Sequence, residues 1–193
     1  AFSTAAIMMG WIGVNALAAH QIAINLASIS YMMASGLSAA AMVRIGNQLG
    51  KRDISKLREV GFSIFGMVTV FMSVFAILFL LLKNYMPLLY IDDPQVIKMA
   101  ASLLIIAGIF QISDGLQVVA LGALRGLSDV RIPTLVTLLA YWVVGLPLGY
   151  FLAFKLHWNE LGIWIGLLIG LTLTAIMLLY RFNFLSSKLR RQF

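Results

Sequence analysis

Four stretches of roughly twenty residues with almost no charge, preceded by a longer one, dominate this chain and restrict what it can become. Residues 60–82, 132–154 and 161–180 contain no Asp, Glu, Lys or Arg, and 99–124 contain only Asp114. Each is about the twenty residues an α-helix needs to cross the ~30 Å hydrocarbon core of a bilayer. The opening run, residues 1–43, is also uncharged, is too long for one span, and breaks at Gly10, Gly13 and Asn15. Hydrophobic residues make up 62% of the chain and charged ones 11%, against about 45–50% and 25% in soluble domains. A soluble globular domain and a disordered chain are both excluded. The expectation is an all-α, polytopic membrane protein: a helical bundle of five complete transmembrane helices near 15–46, 57–86, 95–124, 131–154 and 161–182. Residues 1–12 read as the tail of a sixth helix whose beginning is missing, and 183–193 as a cytoplasmic tail, all within a single lobe, 1–193.

Boundary residues support these limits. Asn15 reads as the N-cap of the first full span. Asp93-Pro94 reads as a cap followed by proline at the first helical position, with Asp92 adding charge at the positive end of the dipole. Ser128 and Asp129 precede Pro133 in the same fashion, and Pro87 follows the second span. Pro147 instead falls inside a span, between Gly145 and Gly149, where a kink is expected. The recurrence of apolar runs to the end of the chain argues against a secretory signal. Ala1 opens in mid-hydrophobic stretch, so the chain is expected to be a fragment.

The loops carry the charge. Net charge is +7. Arg44, Lys51, Arg52, Lys56 and Arg58 fall in the first full loop, Arg125 and Arg131 in the third, and Arg181, Lys188, Arg190 and Arg191 in the tail. Only Lys83, Lys98 and Lys155 fall on the other side. This asymmetry predicts that the first full loop and the C-terminus are cytoplasmic. It points to the lipid bilayer as partner, not nucleic acid.

Enzymatic chemistry has little to rest on. There is no cysteine, which removes thiolate metal sites and cysteine nucleophiles. The two histidines, His20 and His157, form no metal-ligand spacing. Asp114 is the residue that demands an explanation, because a carboxylate at mid-span costs about 2.5–3.5 kcal/mol on insertion scales. Protonation or cation binding would neutralise it. Gln111 and Gln117 flank it three residues to either side, and carboxylate plus amide oxygens suits a hard cation such as Na⁺ if other helices complete the set. The alternative is a structural polar group bonded to a neighbouring helix. Gln21, Asn25 and Ser28 form a second polar face, at i, i+4 and i+7, that either lines a cavity or joins helices. His20, beside them, reads as interfacial packing before proton carrier. Gly162, Gly166 and Gly170 form a small-residue row for close helix packing. The methionines, Met8, Met9, Met32, Met33 and Met42 among them, read as ordinary span residues before an adaptable ligand surface.

Five stretches together suggest a family: LAAHQIAIN (17–25), GLSAAAMVRIGNQLG (36–50), DGLQVVALGALRGLSDVRIP (114–133), AYWVVGLPLGY (140–150) and GIWIGLLIG (162–170). They resemble the multidrug and toxic compound extrusion (MATE) transporters, in the order of that family's C-terminal lobe and over essentially the whole chain. The resemblance implies an antiporter of the bacterial inner membrane with no cofactor, coupled to Na⁺ or H⁺, that exports small amphipathic, often cationic compounds. It implies two six-helix lobes around a central cleft, of which this chain is the second, with the N-terminal lobe as its missing partner. By the resemblance, Asp114 matches an acidic residue implicated in cation coupling, and its usual glutamate partner would fall just before Ala1. Two other readings compete: a flippase for lipid-linked sugars, expected to carry basic residues in its cavity, and a non-transporting membrane subunit.

Overall fold

The computed structural model describes residues 1–191, which contain helices and no strand. A short helix α1 (Phe2–Ile12) leads into α2 (Val14–Gly50) and α3 (Ile54–Leu82). A 3₁₀ turn at Met86–Leu89 precedes α4 (Pro94–Gly126), followed by α5 (Arg131–Lys155) and α6 (Asn159–Arg190). Helices α2 to α6 are each long and apolar enough to cross a membrane.

Their ends are set by local chemistry that periodicity shows only in part. Asp93 caps α4 as expected, accepting from the backbone N–H of Gln95 at 2.8 Å and of Val96 at 3.4 Å, with Pro94 in the first turn. Asp53 performs the same service for α3, accepting from Lys56 N–H at 3.0 Å. Asn15 is not a cap. The break lies at Gly13, whose φ of 155° favours glycine, and Asn15 sits inside the first turn of α2, donating to Gln95 Oε1 at 3.0 Å. Nor does Asp129 cap α5; it forms an ion pair with Arg181 of α6. The α3 helix stops at Leu82, short of the expected 86, and the chain turns through Pro87, whose carbonyl accepts from Tyr90 N–H.

At the other end, α6 continues past 182 to Arg190, so most of the expected tail is helical; Gln192 and Phe193 lie outside the described residues. The reason is a side-chain clasp. Arg58 of α3 donates from Nη1 to Ser186 Oγ and Ser187 Oγ, both at 2.7 Å, and to the Asn183 carbonyl at 3.2 Å. Its Nη2 donates to Asn183 Oδ1 at 2.9 Å. A guanidinium presents a fixed fork of donors that an ammonium does not. Arg58→Ala is therefore expected to lower the unfolding free energy by about 1.5–3 kcal/mol, the range for hydrogen bonds to charged groups. Arg58→Lys should recover only part, as thermal unfolding of the full-length protein would register.

Helix α4 is the centre of the bundle, packed between α2, α3 and α6. Glycines allow the approach: a Cβ on Gly115 would meet Met72 and Val68 of α3, and one on Gly122 would meet the Ser38 backbone of α2. The apolar core is in two pieces. One is built from Leu26, Leu104, Phe110, Trp164 and their neighbours, and the other from Ile45, Leu57, Met72, Leu124 and Phe182. Along α2, α4 and α6 the residues between these pieces include buried Ser30, Gln111, Asp114, Gln117 and Thr174. A polar layer thus crosses the middle of the bundle.

Candidate functional site

Asp114 sits in that layer on α4, 7% exposed. It reaches a cleft of about 310 Å³ between α1, α2 and α4, whose walls include the rings of Phe2, Tyr31 and Phe110 and the hydroxyl-bearing Ser28. Among the described residues its carboxylate makes no hydrogen bond or ion pair. A charged group under apolar rings, without a partner, favours whatever cation can reach it.

The two flanking amides turn away from this cleft. Gln111, fully buried, shares the single Ser30 hydroxyl proton with the Ala27 carbonyl: Ser30 Oγ lies 2.7 Å from Gln111 Oε1 and 2.8 Å from Ala27 O. Gln117 accepts at Oε1 from the Tyr141 hydroxyl of α5 at 2.9 Å. Both amide oxygens are thus engaged, and among the described residues Gln111 Nε2 is buried without a partner. Of the three residues expected to hold a cation, the structure brings only Asp114 to the cleft. The described residues contain no cluster of three or more His, Cys, Asp or Glu suited to a metal. One carboxylate is all a proton needs. Sodium would need more oxygens, of which the Ser28 and Tyr31 hydroxyls on the cleft wall are candidates.

On α2, Ser28 reaches the cleft and donates to the Asn25 carbonyl at 2.6 Å. Asn25 is exposed and accepts at Oδ1 from the Tyr90 hydroxyl at 2.8 Å, and Gln21 is exposed further along the helix. Tyr31 was missed in the sequence, although it lies one turn beyond Ser28 and continues the same face. Tyr141 was missed for a different reason: only the tertiary fold brings it to Gln117. His20 is buried, and its Nδ1 accepts from Trp164 Nε1 at 3.1 Å with the rings edge to face, so it serves packing between α2 and α6.

The long helix α5 is irregular. Its α-helical stretches, Arg131–Leu139 and Leu146–Tyr150, are separated and followed by π-helical ones, Ala140–Gly145 and Phe151–Lys155. Pro147 lies just past the first π stretch. It has no N–H for the carbonyl four residues earlier and its ring crowds that carbonyl, which a wider helical turn relieves. Against this segment lies the glycine row of α6. A Cβ on Gly162 would strike the Ala153 backbone, one on Gly166 the Gly149 backbone, and one on Gly170 would come within 3.1 Å of Ala140 O and Gly145 Cα.

Comparison with known proteins places this geometry. The MatE family model matches residues 2–151. The multidrug resistance protein NorM of Burkholderia vietnamiensis is 42% identical over 193 residues, covering 97% of this chain and 42% of its own. The probable multidrug resistance protein NorM of Xylella fastidiosa (strain 9a5c) is 39% identical over 188 residues, covering 97% and 40%. Among solved structures, the eukaryotic MATE transporter AtDTX14 superposes with a TM-score of 0.87 at 23% identity, over 99% of this chain and 44% of its own. A MATE in the straight conformation gives 0.89 at 17% identity, over 98% and 44%. At such identities the structural matches speak for the fold. The chain spans about two fifths of the length of the curated relatives it matches.

Proposed function

This chain belongs to the MatE family, and on that premise we propose that it forms one lobe of an antiporter that exports amphipathic organic cations in exchange for Na⁺ or H⁺. It is an all-helical, multi-pass membrane protein, and its relatives are multidrug resistance proteins rather than enzymes. The observation that carries the proposal is Asp114: a buried carboxylate, without a hydrogen-bond or ion-pair partner among the described residues, in a cleft lined by Phe2, Tyr31 and Phe110.

One carboxylate of this kind can be neutralised by the coupling ion or by a cationic substrate. Competition between the two for Asp114 is what converts binding into exchange. If the ion favours one arrangement of the helices and the substrate the other, each drives the other's release. Aromatic faces favour organic cations by cation–π attraction, worth about 2 kcal/mol or more when desolvated. Gln111 and Gln117 hold α4 to α2 and α5 on either side of the carboxylate, and Ser28 extends the polar wall towards Asn25 and Gln21. The remaining length of the transporter supplies the other lobe and closes the cleft. The loop charges support an orientation with the C-terminus in the cytoplasm of a bacterial inner membrane. A flippase for lipid-linked sugars fits less well, since among the described residues no Lys or Arg lines this cleft.

The test is efflux of a fluorescent organic cation from everted vesicles carrying the full-length protein, with Na⁺ and H⁺ gradients imposed separately. Transport driven by either gradient is the expected result, and the effective one names the ion. Transport indifferent to both, or none at all, would contradict antiport.

A further inference from the structure

Helices α2 and α3 diverge on the outer surface of this bundle and leave two hollows that meet. One, of about 440 Å³, lies at the end of the bundle bearing the first full loop and has Arg44, Lys56, Glu59 and Ser63 on its walls. The other, of about 870 Å³, is an apolar groove along the same two helices, floored by Gly36 and Gly66 and walled by Met33, Val70 and Phe71 among others. Leu37 and Met67 belong to both, so the charged hollow opens directly into the apolar groove. A Cβ on Gly36 or Gly66 would meet nothing within 4 Å, which marks the floor as open space.

Neither Arg44 nor Lys56 has a side-chain hydrogen bond or ion pair among the described residues, although Glu59 stands in the same hollow. Two guanidinium or ammonium charges and one carboxylate leave a surplus of one positive charge. A single phosphate diester brings the hollow to neutrality, whereas a zwitterionic headgroup leaves the surplus in place. Depth agrees with the same occupant. From Ser63 to Val74 along α3 is about 16 Å at 1.5 Å per residue, half of the ~30 Å hydrocarbon core and hence the depth of one leaflet. Basic pockets between membrane helices at that boundary are a recognised setting for acidic lipid headgroups.

We propose that the α2–α3 hollow and groove form a site for one acidic glycerophospholipid, its phosphate held by Arg44 and Lys56 and an acyl chain laid along Gly36 and Gly66. Glu59 accepts hydrogen bonds from hydroxyls of a polyol headgroup such as phosphoglycerol. The lipid covers apolar surface that the bundle itself leaves open, and its retention stabilises the pairing of α2 with α3.

Native mass spectrometry of the full-length protein, titrated with phosphatidylglycerol and separately with phosphatidylethanolamine, tests this. One tightly retained phosphatidylglycerol is expected, with phosphatidylethanolamine bound about tenfold more weakly. The double variant Arg44→Ala/Lys56→Ala should lose that preference, while Lys51→Ala/Lys188→Ala, which removes the same charge elsewhere on the basic side, should keep it. Gly66→Phe fills the groove without touching the charges and should weaken both lipids; unfolding temperatures identify any variant that fails to fold. Equal affinity for the two lipids, equal behaviour of the two double variants, or undiminished binding by a folded Gly66→Phe would each overturn the proposal. So would cross-linking of residue 66, changed to cysteine, to another segment of the protein, which would show a polypeptide in the groove.

Discussion

Asp114→Asn is expected to weaken gradient-driven efflux sharply while leaving the protein folded. The substitution keeps the shape of the side chain but removes its charge and its ability to exchange one cation for another. If Asp114 carries the coupling, transport should fall by about 5–150-fold, the range of ordinary coupling free energies of 1–3 kcal/mol. Stability should move little or upward. The carboxylate has no hydrogen bond or ion pair among the described residues to lose, and a neutral amide is less costly to bury than a charge. Asp92→Asn provides the contrast: it removes the same charge from an exposed position before α4 and should leave transport unchanged. Initial efflux rates and thermal unfolding, measured in parallel on the full-length protein, separate loss of coupling from loss of fold.

Gly166→Leu should have the largest effect on the fold. At this position the backbones of α5 and α6 are in contact, and a Cβ would overlap Gly149 and lie 2.6 Å from the Gly145 carbonyl oxygen. Backbone atoms cannot swing aside as a side chain can, so the helices must separate. Overpacking in a close-packed interior typically costs about 1–3 kcal/mol, and this site should reach or exceed the top of that range. Parting α5 from α6 also loosens Tyr141, whose hydroxyl fixes Gln117 in the polar layer. Gly10→Ala makes a fair control. It adds a Cβ where nothing lies within 4 Å and should be neutral or gain up to about 1 kcal/mol from helix propensity. Unfolding temperatures of the purified proteins distinguish the two.

The five membrane helices are legible in the sequence because a bilayer imposes a length and a polarity that few other contexts demand. Their ends are less so. Asn15 has the chemistry of a cap, yet a glycine two residues earlier breaks the chain better, and the amide is free to reach Gln95 on another helix. The helical continuation to Arg190 depends on Arg58, more than 120 residues away in sequence, and no local pattern contains such a pairing.

Asp114 is conspicuous as the lone charge of its run. The fate of its two neighbours is not. Positions three before and three after a residue on an α-helix lie about 120° apart around the axis, so Gln111 and Gln117 face different partners. One meets Ser30 on α2, and the other meets Tyr141 on α5. Periodicity correctly groups them near Asp114, but only the arrangement of surrounding helices decides which amide faces the cleft. Neither does. The π-helical turns of α5 are hidden for a similar reason: Pro147 marks where the ladder must fail, while packing against the glycine row of α6 decides how it reforms.

The central claim, that Asp114 is where coupling ion and substrate compete, can be tested without any gradient. Tetraphenylphosphonium would be added to the purified full-length protein in weakly buffered solution, with release of protons followed by a pH indicator and displacement of bound ²²Na⁺ counted in parallel. The native protein should release one of the two ions as the organic cation binds, and Asp114→Asn should release neither. Equal release from both proteins, or binding of the organic cation to the native protein with no ion released, would contradict the account.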